Sequence, residues 1–411
     1  MHTSMFDDPQ SLVLFLVRSR ENEEDLYAGI EHQQTPDVTQ CLKIITRQGC
    51  ERIARYAFDF ARRNNRKRVT CMVKDNIMKM TDGLFYRVFE EIGALEYPDI
   101  SRDRMIIDIG AAMVADDPGR FDVILTTNLY GDIISDVAVQ VAGSVGLGGS
   151  SNVGTSCAMF EAVHGSAPDI SGKNIANPSG LLLGAVQMLQ HIRQPGAAEQ
   201  IYNAWLRTIE DGCHTVDIYN PENEKVGSKY KMGTTEFADA VIERLGQEPV
   251  SMTPVRYTGK AQAAAMGQGH GSSAGEGEGT SESPRWTPVR KEKKLHGVDA
   301  FVQWEGQDPD ALAATLKAAC EKAGVEDLEL RLITNRGVRC WPEHFPETFL
   351  VDHWRCRFRP AGGDDAGDVP IGSVLKVLSA VAESGDGVDL IKMEGLFLFG
   401  GELGFSLGQG E

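Results

Sequence analysis

The stretch FDVILTTNLYGDIISD, Phe121–Asp136, passes from an apolar run into a helical pattern. Phe121–Thr127 reads as a short buried strand, and after Asn128-Leu129-Tyr130-Gly131 a helix is expected over Asp132–Ala142. The same change recurs on both sides. Upstream, Ser11–Val17 is a short apolar strand, and Glu51–Arg63 sets Ile53, Ala54, Ala57, Phe58 and Ala61 at helical spacing. Arg68–Val73 is a strand, and Thr81–Ile92 gathers Leu84, Phe85, Val88, Phe89 and Ile92 on one helix side. Arg104–Val114 reads as a helix, and so, further downstream, does Pro178–His191. Strands alternating with helices in this way imply an α/β architecture with a largely parallel sheet.

From Gly259 to Arg285 there is no aromatic residue and no Val, Ile or Leu. Such a segment buries too little apolar surface to offset its ordering entropy, so it reads as a linker. The basic run Arg290-Lys291-Glu292-Lys293-Lys294 behind it reads as a solvated linker end. Beyond it the order changes: strands over Val298–Trp304, Leu328–Thr334, His353–Arg359 and Leu390–Phe399, with helices over Pro309–Ala323 and Ile371–Ser384. That is βαββαβ, a ferredoxin-like α+β unit.

The 411 residues carry 41 Lys+Arg against 59 Asp+Glu, a net charge of −18. That balance excludes the basic footprint of a nucleic-acid-coating protein. No apolar run approaches the ~18 residues that cross a bilayer. The 8 cysteines form no CxxC pair and read as reduced, mostly core thiols, which with the acidic Phe6-Asp7-Asp8 opening points to a cytoplasmic protein.

Several residue groups could carry chemistry. Asp132 and Asp136 lie four apart and share one helix face. Asp108 stands within the apolar run Met105–Ile109, where a lone carboxylate would be costly. Three acids without nearby Cys or His suit a hard, oxygen-liganded ion, Mg²⁺ or Mn²⁺. Lys74 closes the Val69–Val73 strand, where a desolvated amine can act as a base. Arg20 suits a carboxylate and Tyr27 suits proton donation. The small-residue loop His164-Gly165-Ser166-Ala167-Pro168-Asp169-Ile170, leading to Asn177-Pro178-Ser179-Gly180 at a helix start, lets backbone N–H groups approach a nucleotide. There is no GxGxxG fingerprint.

Taken together, RENEEDLYAGIE (20–31), VKDNIMKMTDGLF (73–85), NLYGDIISD (128–136) and FEAVHGSAPDISGKNIANP (160–178) resemble the isocitrate and 3-isopropylmalate dehydrogenases, in the family's order. GVDAFVQ (297–303), LITNRG (332–337) and VDHWRCRF (351–358) resemble the extra C-terminal domain of Thermus-type isocitrate dehydrogenases. The resemblance implies oxidative decarboxylation of isocitrate, or of homoisocitrate or 3-isopropylmalate. In it Arg20 binds a substrate carboxylate, Tyr27 protonates the enolate carbon and Lys74 helps deprotonate the hydroxyl. Asp108, Asp132 and Asp136 hold Mg²⁺ or Mn²⁺, and a homodimer shares its sites, with Lys74 and Asp108 reaching across. His164, Gly165, Ser166, Ala167, Asp169, Ile170 and Asn177 line the adenosine side of the cofactor. The Asp169 carboxylate would repel a 2′-phosphate and accept from a ribose diol, so NAD is expected.

The domain expectation is a small, dimerising domain over 1–142 with a clasp near 25–45, and the remainder of a large cofactor domain over 143–257. A linker over 258–296 and a C-terminal domain over 297–411 follow. The resemblance also implies a portion ahead of Arg20 with a GDGIGPE-like opening, a Ser/Asn/Arg substrate loop and a second substrate arginine, none of which occurs in this sequence. A chain acting only through assembly is the alternative that follows from their lack.

Overall fold

A computed structural model describes residues 17–154, 156–222, 227–257, 291–343, 349–363 and 368–408. Its first elements are β1 (Val17–Arg20), β2 (Glu31–Gln33), β3 (Thr39–Cys41), α1 (Arg47–Arg63), β4 (Arg68–Val73), α2 (Thr81–Glu96), β5 (Ser101–Ile106), α3 (Ile107–Asp116), β6 (Val123–Thr126) and α4 (Asn128–Val141). There follow β7 (Gly149–Val153), β8 (Ala158–Ala162), α5 (Ser179–His191), α6 (Pro195–Glu210), β9 (Cys213–Thr215), β10 (Tyr230–Met232) and α7 (Thr234–Glu243). The C-terminal elements are β11 (Lys293–Gln303), α8 (Pro309–Lys322), β12 (Leu328–Asn335), β13 (Val338–Trp341), β14 (His353–Pro360), α9 (Ile371–Ala382), β15 (Asp389–Phe399) and β16 (Glu402–Leu403). The described residues form two compact units. One holds 17–27, 45–77 and 82–257; the other holds 28–44, 78–81 and 291–408.

In the first unit, β1, β6, β4 and β5 lie side by side in that order, all parallel. The alternation of β4 and β6 sorts their side chains to two layers. Val69, Cys71, Val73, Val123 and Leu125 meet Phe58, Phe89 and Ile92 of α1 and α2 in one core. Met72 and Ile124 point the other way, to Val114 and Ile134 of α3 and α4. Phe58 stacks between Phe89 and Tyr97 with ring centroids 5.2 and 5.0 Å away. A third core, built on Leu183, Val186, Trp205, Leu206 and Phe237, joins α5, α6 and α7.

Two expectations in this unit change. Arg104–Ile106 is the end of strand β5, paired with Cys71–Val73, and the helix starts only at Ile107. The strand keeps its charges because it is the sheet's edge, where polar side chains reach water. α4 begins at Asn128 and not at Asp132. The expected Ser11–Val17 strand lies outside the described residues apart from Val17, which opens β1.

The second unit contains the expected βαββαβ order. Its six-stranded antiparallel sheet runs β13, β12, β14, β11, β15, β16. The central four carry the ferredoxin-like arrangement, and β13 and β16 are additions. Val298, Ala300, Val302, Trp354 and Phe358 pack against α8 and α9 through Leu312, Leu316, Val374 and Val377. The basic run belongs partly to this sheet: Lys293 opens β11 and lies 3.8 Å from the Phe397 ring centroid. Of the candidate linker over 258–296, residues 258–290 lie outside the described residues, and residues 293–296 belong to β11. All eight cysteines are free thiols, and six are buried. No helix among the described residues is long and apolar enough to cross a membrane.

Candidate active site

β1 delivers Arg20 to the C-terminal end of the parallel sheet, and β6 leads at the same end into α4. Here three residues of Asn128-Leu129-Tyr130-Gly131-Asp132 serve the arginine. Arg20 Nε donates to Asn128 Oδ1 at 2.8 Å, and its Nη1 bonds Asp132 Oδ1. Gly131 leaves the room this needs, since a Cβ there would stand 2.6 Å from Arg20 Cγ. The Tyr27 hydroxyl donates to the other Asp132 oxygen at 2.8 Å, and the guanidinium lies 4.9 Å from the Tyr27 ring centroid. Asp132 therefore holds a cation and a phenol at once, with its side chain 49% exposed. The bond to Asp132, with some desolvation, raises the Tyr27 phenol above its ordinary value, so the tyrosine keeps its proton.

The turn between Arg20 and Tyr27 is fixed from within. Glu21 accepts from the backbone N–H groups of Glu23 and Glu24 at 2.9 and 3.0 Å. Fully buried Asp25, with φ 71°, accepts from Leu129 N–H at 3.0 Å in the first turn of α4. Asn128 Nδ2 donates to the Glu24 carbonyl. Sequence reasoning passed over Asn128 and Asp25; Asn128 is the first residue of α4, behind the N-cap Thr127, and its side chain serves Arg20 and the Glu24 carbonyl.

Lys74 follows β4, and its Nζ lies 2.8 Å from Asp108 Oδ1. The ammonium holds the Asp108 carboxyl below its usual value. The expected burial of Asp108 is corrected: it stands in the first turn of α3 with a 66% exposed side chain, so water and Lys74 satisfy it. Asp136 is exposed one turn beyond Asp132. Among the described residues no three His, Cys, Asp or Glu side chains gather around a common point. The oxygen-only donors suit a hard cation, and one chain brings Asp132 and Asp136 to one helix face.

The glycine-containing loop after β8 is open. Gly165 has nothing within 4 Å of a built Cβ, and Ala167 adopts φ 44°, a left-handed conformation that costs energy for a residue with a Cβ. His164 Nδ1 lies 2.8 Å from the Gly165 carbonyl. Gly165, Ser166, Ala167 and Asp169 are exposed, and Ile170 is partly buried. Asn177 is different: it is buried, donates to Asp217 at 3.0 Å and accepts from Ser179 N–H at 3.0 Å, fixing the start of α5. Asn174 ties the loop to α7, its carbonyl accepting from Thr234 N–H and its Oδ1 from Thr235 N–H.

A family model described as isocitrate/isopropylmalate dehydrogenase matches residues 8–241. The chain belongs to this family. Residues 293–411 match the model of the bacterial isocitrate dehydrogenase C-terminal domain. A Rickettsia bellii protein named isocitrate dehydrogenase [NADP] is 48% identical over 95% of this chain and 75% of its own length. A Thermus thermophilus protein of the same name is 40% identical over 96% of this chain and 73% of its length. A crystal structure of a protein from Thermus thermophilus matches with TM-score 0.79 and 38% identity, covering 96% of this chain and 73% of that one.

These relatives, named for NADP, overturn the expectation of NAD drawn from Asp169-Ile170. The structure gives the physical reason. Asp169 is exposed on a short 3-10 turn, where water screens its charge. Such a carboxylate does not have to stand against a 2′-phosphate.

Proposed function

We propose that the chain catalyses the NADP-dependent oxidative decarboxylation of isocitrate as a homodimer with shared sites. The observation that carries this reading is the Arg20–Asp132–Tyr27 cluster, with a carboxylate-binding cation, a metal-binding anion and a proton donor joined at one point. Arg20 binds a substrate carboxylate and holds Asp132 beside it. Lys74, from the other subunit in this reading, takes the proton from the C2 hydroxyl. Tyr27 keeps its proton until CO₂ has left and then gives it to C3. Asp132 and Asp136, with the partner's Asp108, would hold a divalent ion, which would supply Lewis-acid polarisation, and bound NADP would supply the hydride acceptor. The loop from His164 to Ile170 offers open backbone to the adenosine. Lys173 and Lys231 are exposed on either side of the Asn174–Thr234 tie, as ammonium groups available to the 2′-phosphate.

The test is reduction of NADP by the purified chain with isocitrate, homoisocitrate or 3-isopropylmalate and Mg²⁺ or Mn²⁺. The highest kcat/KM is expected with isocitrate and NADP, and no turnover after chelation. Failure to turn over any of the three would refute the proposal and leave the alternative of a chain acting through assembly.

A further inference from the structure

Lys74 is the first residue beyond β4. Its side chain is tied to Asp108 only at the far tip, at a carboxylate that is itself largely exposed. The backbone end is tied elsewhere. Asp82, in the first turn of α2, is wholly buried, and its Oδ2 accepts from the Lys74 N–H at 2.7 Å. A carboxylate with no exposure is expensive unless the protein surrounds it with donors. The N-terminal turn of α2 is one favourable surrounding. The second is the Tyr130 hydroxyl, which stands close enough to the Asp82 side chain to feel its charge.

Tyr130 belongs to α4, between Asn128, which receives Arg20, and Asp132, which receives Arg20 and Tyr27. It also feels the charge of buried Asp25, the residue that accepts from Leu129 N–H. One buried carboxylate thus joins the residue after β4, the start of α2 and the first turn of α4.

We propose that Asp82, braced by Tyr130, is a positioning residue that fixes the backbone of Lys74 and so aims its amine. The inference rests on the proposed role of Lys74, and its first test does not depend on turnover. In the full-length chain, the rate at which an amine-reactive ester labels each lysine is read by mass spectrometry. Asp82→Ala removes the acceptor, whereas Asp82→Asn keeps an oxygen in the same place. Lys74 labelling is expected to rise several-fold in Asp82→Ala and to return most of the way in Asp82→Asn, with Lys67 and Lys231 unchanged. Where Asp82→Ala does not fold, Tyr130→Phe takes its place and is expected to give a smaller rise confined to Lys74. Unchanged Lys74 labelling in a folded variant, or a uniform rise at every lysine, overturns the proposal. The second test reads kinetics: kcat should fall by about 10–100-fold in Asp82→Ala, with isocitrate KM within about threefold of wild type, since a displacement of ~1 Å costs that much. A variant that lost thermal stability alone, with kcat intact, would make Asp82 a purely structural residue. A wild-type chain without turnover, but with the selective Lys74 labelling, would refute the proposed function and leave the positioning role standing.

Discussion

At the residue scale, Asp132 decides what Arg20 and Tyr27 can do. Its two oxygens face a guanidinium and a phenol, so its charge sets how firmly Tyr27 keeps a proton. The bond donated to a carboxylate disfavours the phenolate, and Tyr27 titrates above its ordinary 10.0. Asp132→Asn replaces the anion with a neutral amide and should lower the Tyr27 value. An NMR titration of labelled tyrosines would show its resonance moving at lower pH than in wild type, and an unchanged curve would count against this account. Arg20, Tyr27, Lys74, Asp108, Asp132 and Asp136 are all legible in the sequence as residue types at suggestive places. Asp25 and Asp82 are not, because a buried acid and an exposed acid look alike until burial is known. The error over Asp108 has that same origin.

At the element scale, the fit of Arg20 against α4 depends on one glycine. Gly131 packs against the stem of Arg20, and a Cβ would come within 2.6–2.9 Å of three of its carbons. Gly131→Ala should therefore push the guanidinium off Asn128 and Asp132 while leaving the helix itself intact or better formed. We expect isocitrate KM to rise by about tenfold or more, equivalent to ~1.4 kcal/mol, with little change in thermal stability. Strand β9 offers a second check. His214 is buried, with Nε2 3.1 Å from the Ile209 carbonyl and Nδ1 2.7 Å from Ser228 Oγ. Burial lowers its value below the ordinary 6.5, so the folded chain binds fewer protons here than the unfolded one. Its contribution to stability is present above pH ~6.5 and is lost as pH falls through the lowered folded value. His214→Asn should flatten the acid-side fall of the melting temperature between about pH 7 and 5, and equal slopes would refute it. Most elements were readable because their apolar spacing is strong. β5 was not, since its Arg-rich edge pattern runs straight into the apolar residues of α3. The hairpin β12–β13 turns on Arg336 and Gly337, which both adopt positive φ, as a tight two-residue turn requires.

At the scale of the whole molecule, one chain carries two clusters that suit halves of one reaction: Arg20, Tyr27 and Asp132 in one, Lys74 and Asp108 in the other. Its C-terminal unit carries its own core and a buried bidentate pair, Asp299 with Arg357 at 2.8 and 2.9 Å. That unit supplies no residue to the proposed chemistry, so the question of assembly falls on the two clusters. In a twofold homodimer with shared sites, each site takes Tyr27 from one subunit and Lys74 from the other. A Tyr27→Phe dimer and a Lys74→Met dimer are then both defective at both sites. A mixed dimer is not: one site carries both substitutions, and the other carries neither. If equal amounts are co-refolded and assort at random, half the dimers are mixed and each has one intact site of two, so about a quarter of wild-type turnover should return. If each chain completed its own site, every site in the mixture would still carry one substitution, and no activity would return. Steady-state assays before and after co-refolding, at fixed total protein, separate the two cases.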